Sequence, residues 1–186
     1  MPALSRRRLL TIAPLAALPV AARAATPAPD RRALVLTVRA MADLDSCGDP
    51  ALLAFRDAEM QRVAQSLPEA PDLLRLHRLY PASRRAVDLR PPTPAVDLAA
   101  LHDACDAARP VAFRYTDLSD RMTERQVLPL ELVHPGHGVL LFAWCELRDA
   151  PRRFFVHAME GLSLGSGSFA DRRAELIRLT ADHYCP

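Results

Sequence analysis

From residue 31 to residue 80, apolar positions recur every three to four residues, which predicts helices rather than strands. Leu34, Val38 and Met41 form one stripe, and Ser46-Cys47-Gly48 breaks it. A second helix should follow, with Asp49 as its cap and Pro50 in its first turn. Leu53, Met60, Ala64 and Leu67 form its stripe as far as Pro68. A third, short helix is expected from Pro71 to Tyr80. The run Leu89-Arg90-Pro91-Pro92-Thr93-Pro94 then reads as an extended connection, placing a Pro-rich linker at 81–96.

After the linker the period changes. Asp97 caps a helix with Leu98, Leu101, Cys105 and Ala108 on one face, and Pro110 stops it. Alternation with period two follows at once: Val111, Phe113 and Tyr115 fall on one side, and Ala112, Arg114 and Thr116 on the other. Asp117 to Arg121 is a turn, and Thr123 to Val133 a second strand in which Pro129 marks an edge or a bulge. His134-Pro135-Gly136-His137-Gly138 is a tight loop. Val139 to Cys145 is apolar throughout, as expected of a strand covered on both faces. Further strands are read at Arg152–Ala158 and near Gly161–Leu164, and a last helix near Ser168 with Asp171 as capping-box partner. The expected fold class is α+β: a helical region, then one helix and about five short strands curled into a small barrel, with Phe113, Val127, Leu140, Phe142, Trp144 and Phe154 in its core.

Composition narrows this picture. The chain has 186 residues, half of them apolar, enough for a real core in one or two small domains. All 24 basic residues are Arg, against 22 acidic ones, and a formal charge of +2 demands no nucleic-acid partner. Residues 1–24 read as an export signal of twin-arginine flavour: Ser5-Arg6-Arg7-Arg8, an Ala/Leu-rich stretch, then Ala22-Arg23-Ala24. Pro14 and Pro19 speak against a membrane span; a misplaced start or an amphipathic N-terminus is the alternative. Cleavage would remove four arginines and turn the formal charge to −2. Residence is periplasmic if the signal is genuine and cytoplasmic otherwise. The expected organisation is 1–24 signal-like, 25–80 helical connector, 81–96 linker, 97–165 barrel and 166–186 C-terminal helix and tail.

The run Phe113-Arg114-Tyr115, then Glu124-Arg125 before Pro129-Leu130, then Ala143-Trp144-Cys145-Glu146-Leu147-Arg148 and Arg152 with Phe154 resembles a WYL domain. More narrowly, it resembles the YafY-like group of bacterial transcriptional regulators. Upstream, Gly48-Asp49-Pro50-Ala51-Leu52 through Leu67-Pro68-Glu69 resembles the helical connector of that group, so the likeness covers roughly 33–165. It implies an Sm-like, SH3-type barrel that senses a small molecule or nucleic acid and controls a DNA-binding domain. The matching ligand positions are Tyr115, Arg125, Arg148 and Arg152. Arg presents a planar fork of donors to phosphate or carboxylate, and Tyr a face for stacking. The alternative is that Tyr115 is core and these arginines are solvated.

Three departures from the family pattern matter. Val139-Leu140-Leu141 stands in place of Trp-Tyr-Leu, and Phe155-Val156-His157-Ala158 in place of Arg-Leu-Asp-Arg. A helix-turn-helix is not expected upstream of the connector, where the signal-like segment lies, so sequence-specific duplex DNA binding by this chain alone is not expected. His157 is an accessory candidate, as a titrating group or an ordinary strand residue. His134 and His137 read as a hairpin turn rather than a metal site. Cys105 and Cys145 read as buried thiols, while Cys47 and Cys185 could pair only after export. No nucleophile elbow, phosphate loop or paired carboxylates stand out. The expectation is therefore a non-enzymatic binding module with no catalytic residue, metal or cofactor. Its partners would be a small anionic ligand or nucleotide, and a second copy or a regulatory protein. The alternative is an exported, non-catalytic binding or structural domain whose ligand site is degenerate.

Overall fold

The computed structural model describes residues 30–81, 94–136 and 138–186. The signal-like segment and most of the Pro-rich linker lie outside these residues.

Helix α1 (Arg31–Asp43) starts at Asp30, whose carboxylate accepts the Ala33 N–H at 2.7 Å. It buries Val35, Val38 and Ala42, with Leu34 and Met41 packed at the margin, so the buried stripe is rotated slightly from the expected one. A 3-10 turn (Leu44–Ser46) leads to Gly48, whose φ of +66° reverses the chain at little steric cost. Helix α2 (Pro50–Ser66) is capped by Asp49 as expected, and α3 (Ala70–Arg78) buries Leu73, Leu74, Leu76 and His77.

Asp97 caps α4 (Leu98–Asp106) by accepting the Ala99 N–H at 2.8 Å. The strands are β1 (Val111–Thr116), β2 (Met122–Val133), β3 (Leu140–Cys145), β4 (Ala150–Phe155) and β5 (Met159–Leu164). Helix α5 (Ala170–Tyr184) ends the chain. At its start the Ser168 hydroxyl accepts the Ala170 N–H, and Asp171 makes no capping bond.

The five strands form one antiparallel sheet in the order β4-β3-β2-β1-β5. Both faces of its middle are covered, which is why β3 is apolar at every position. On one face Val111, Phe113, Val127, Leu141, Ala143 and Phe154 pack with Leu101, Ala104 and Cys105 of α4. On the other, Leu128, Leu130, Leu140 and Phe142 pack with residues of α1, α3 and α5. Pro129 sits past the end of the β1 ladder, beside a register shift between β2 and β3, where its missing N–H leaves no gap in the pairing.

The sheet curls but stays open. In a flat sheet β1 and β4, three places apart, would lie about 14 Å from each other; here the Phe113 and Phe154 rings are 5.3 Å apart. No ladder joins β4 to β5, so the expected barrel holds for the curl and not for closure. The expected strand over 152–158 is shorter and begins earlier: Val156 donates to the Val139 carbonyl at 2.9 Å, and Val156–Ala158 form a 3-10 turn that carries the chain toward β5. Five of the six expected core residues are buried. Trp144 is the exception, half-buried with its indole Nε1 donating to Asp149 at 3.1 Å. No helix among the described residues is long and apolar enough to cross a membrane.

Candidate functional site

Strand alternation aims the site. Arg125 pairs with Phe113, and Arg152 with Ala143, so both arginines stand on the face that carries Tyr115 and Phe154. Arg148 comes from the turn between β3 and β4, tightened by an Arg148 N–H bond to the Cys145 carbonyl at 3.1 Å. The curl of the sheet brings these residues together: Tyr115, Arg125, Arg148 and Arg152 line one cleft of about 280 Å³, with Asp117, Cys145, Arg153 and Phe154. That volume lies just below the range for drug-sized ligand sites, about 300–1,000 Å³, which suits a smaller ligand.

Several arginines without carboxylate partners gather in this cleft. Many arginines elsewhere are matched by carboxylates: Arg32 with Asp103 and Asp106, Arg75 with Asp72 and Asp182, Arg114 with Glu160, and Arg31 and Arg173 with the buried Glu69. Arg109, which donates to the Gly165 carbonyl, and Arg172 lack a carboxylate among the described residues but do not line the cleft. Among the described residues Arg125, Arg148 and Arg152 have no carboxylate partner, and the Arg125 Nε is buried without a hydrogen-bond acceptor. A buried donor left unpaired costs roughly 1–3 kcal/mol, a cost that an incoming anion would relieve.

The cleft's one carboxylate is already engaged. Asp117 accepts the Ser119 N–H at 2.8 Å, the Arg121 N–H at 3.1 Å and the Arg121 guanidinium at 3.0 Å. The backbone N–H of Arg121, then that of Ser119, hold its pKa below the usual carboxylate range. A depressed folded pKa means that the carboxylate supports its turn at neutral pH and loses that role as pH falls through the folded value. Acidification below about pH 4 should therefore speed exchange of the Ser119 and Arg121 amides before the core amides, and unchanged relative rates would contradict the assignment.

Tyr115 is a wall of the cleft. Its ring packs edge-to-face with Phe154 (5.1 Å) and Phe113 (6.4 Å), and its hydroxyl accepts the Phe155 N–H at 3.4 Å. It is half-buried, so it combines the core and the ligand-facing alternatives. His157 is not part of the cleft: it is exposed on the 3-10 turn, with its ring 5.3 Å from that of Phe155. Asp117, Cys145 and Phe154 are lining residues that sequence reasoning did not single out, although Cys145 and Phe154 share the inward parity of Arg152 across the β3–β4 ladder.

His134 stacks on His102 at 6.2 Å, and His137 lies outside the described residues. No group of three or more metal-ligating side chains occurs among the described residues. All four cysteines are free thiols; Cys105 and Cys145 are buried, Cys47 is exposed, and burial pushes the Cys105 thiol pKa strongly up.

Residues 97–164 match the family model described as the WYL domain. No curated protein matches the chain. Among solved structures, the chain is similar to proteasome accessory factor B/C (PafBC) of Arthrobacter aurescens, with 21% identity and a TM-score of 0.42. That alignment covers 77% of this chain and 22% of that one, so the chain spans about a fifth of its length.

Proposed function

On the premise that residues 97–164 form a WYL domain, we propose that this chain is a ligand-sensing regulatory module whose cleft binds a small anion. The observation that carries this reading is the convergence of Arg125, Arg148 and Arg152, all without carboxylate partners, on one cleft. Guanidinium forks favour planar carboxylates and phosphates through paired, charge-assisted hydrogen bonds. They also stay protonated near neutrality, so they suit recognition better than proton transfer, and the module is read as non-catalytic. We read its curled sheet, open between β4 and β5, as a variant of the Sm-like, SH3-type barrel that the family resemblance implies. Signalling would pass to a second copy or to a regulatory partner chain.

The ligand class is a mononucleotide or an organic acid. Positions that carry charge in the family pattern are here Phe155, half-buried against the helices, and Ala158, so a polyphosphate finds fewer cations. A thermal-shift screen of nucleotides and organic acids tests the reading: a mononucleotide or carboxylate should raise the melting temperature of wild type and not of Arg125→Ala. A shift that survives Arg125→Ala unchanged would place the ligand elsewhere. No shift with any anion would favour the structural alternative with a degenerate site.

Duplex DNA should not be bound with sequence preference. No DNA-binding domain is evident among the described residues; α1 and α3 bury their apolar stripes in the core shared by the helices and the sheet, and α4 packs on the other face of the sheet. Fluorescence titration at physiological salt should show at most weak, salt-sensitive association. Specific binding tighter than about 10⁻⁸ M, the range of true DNA readers, would overturn this part of the reading.

A further inference from the structure

Strand β2 is longer than the ladder on one of its sides. Residues Met122–Thr116 through Val127–Val111 pair with β1, but pairing with β3 begins only at Val127, opposite Cys145. Over Met122–Gln126, a stretch of about 16 Å at the rise of an extended strand, the edge facing the β3 side has no ladder partner among the described residues. The other two free edges are blunted. Strand β4 carries Pro151 and packs against α5, and β5 is interrupted by a register shift at Gly161, where φ is +65°. Met122–Gln126 contains neither proline nor bulge.

This edge lies between two recesses. The arginine cleft borders it through Arg125 on one face of the sheet. On the other, Arg114, Glu124, Gln126, Glu146 and Leu147 line part of a groove of about 500 Å³ that also reaches Arg125. Two leucines bracket the stretch in sequence: Leu118 in the β1–β2 turn is 99% exposed, and Leu147 in the β3–β4 turn 71% exposed.

We infer that the β2 edge at Met122–Gln126 docks an extended acidic peptide segment as an added strand, with an acidic side chain of that segment entering the arginine cleft. An added strand sends alternate side chains to opposite faces, one set toward the arginines and the other toward the groove beside Leu147. Backbone pairing then supplies affinity, and the unpartnered guanidinium groups supply selection for carboxylate. The inference rests on the proposed anion cleft and assigns the anion to a partner's side chain.

The test uses the full chain and two synthetic eight-residue peptides of alternating valine and glutamate, one starting on each residue type, followed by fluorescence anisotropy and amide hydrogen exchange. At least one should bind and slow exchange at alternate amides within Thr123–Gln126. Methylating alternate peptide nitrogens on its pairing edge should weaken binding at least tenfold, as should glutamine in place of glutamate, and Arg152→Ala in the protein should weaken it severalfold. Binding that ignores N-methylation, or that leaves the Thr123–Gln126 amides unprotected, would overturn strand addition. Adenosine monophosphate and succinate serve as small-anion arms. If they bind the cleft and neither peptide binds, the edge inference falls while the cleft reading stands. If none of the probes binds, both fall. Protection at the edge by peptide, without binding of any small anion, would uphold the inference and remove the small-ligand reading.

Discussion

Replacing Phe142 by Ala is expected to lower the folding free energy by about 3–5 kcal/mol. Phe142 is fully buried on β3, on the face that meets the helices, and its ring lies 5.4 Å from that of Tyr184 and 6.3 Å from that of Tyr80. Strands β2 and β4 pin β3 from both sides, so the backbone cannot move in to fill the space left by the ring. The loss would take much of the 5–15 kcal/mol that stabilises a typical domain. Urea denaturation, comparing midpoints at unchanged slope, gives the number. A cost below about 1 kcal/mol, the size of an ordinary surface change, would put Phe142 outside the core and break the account of how the helices dock on the sheet.

The second large effect concerns the cleft. Arg125→Ala is expected to weaken binding of a cleft anion about tenfold to a hundredfold, since a hydrogen bond to a charged partner contributes roughly 1.5–3 kcal/mol. Arg125 is chosen because it is half-buried and its Nε has no other acceptor, so solvent competes least there. Arg148 and Arg152 are exposed and should each show a smaller loss. Arg178→Ala, on the exposed face of α5 beside Asp182, is the control and should leave affinity unchanged. Isothermal titration with the best anion from the thermal screen separates these variants, and equal losses for Arg125→Ala and Arg178→Ala would show a general charge effect instead of a site.

Local features were legible in the sequence where one residue decides the geometry. Asp49 and Asp97 cap helices as read, because a carboxylate before an apolar stripe has few other uses. Pro129 marks the bulge because it cannot donate to a ladder. The apolar run of β3 announced a strand covered twice, while the identity of the two covers depended on the helices before and after it. Continuing alternation through Phe155 and His157 hid the 3-10 turn, since the bond from Val156 to Val139 is set by tertiary contact and leaves no local signature. Trp144 shows the same limit: its apolar neighbours suggested core, but its place at the end of β3 lets its indole reach Asp149. Parity alone could show that Arg152 shares a face with Phe154. It could not show that the curl brings that face to Arg125, or that Asp117 is engaged within its own turn. Openness of the sheet likewise depends on where ladders end, which no single residue encodes.

The most direct test of the anion cleft watches the guanidinium groups themselves. In a ¹⁵N-labelled sample, the Arg125 Nε–H resonance should shift and saturate as adenosine monophosphate or succinate is added, with Arg148 and Arg152 following the same curve. Saturable binding of either anion that leaves all three Nε–H resonances in place would contradict the account.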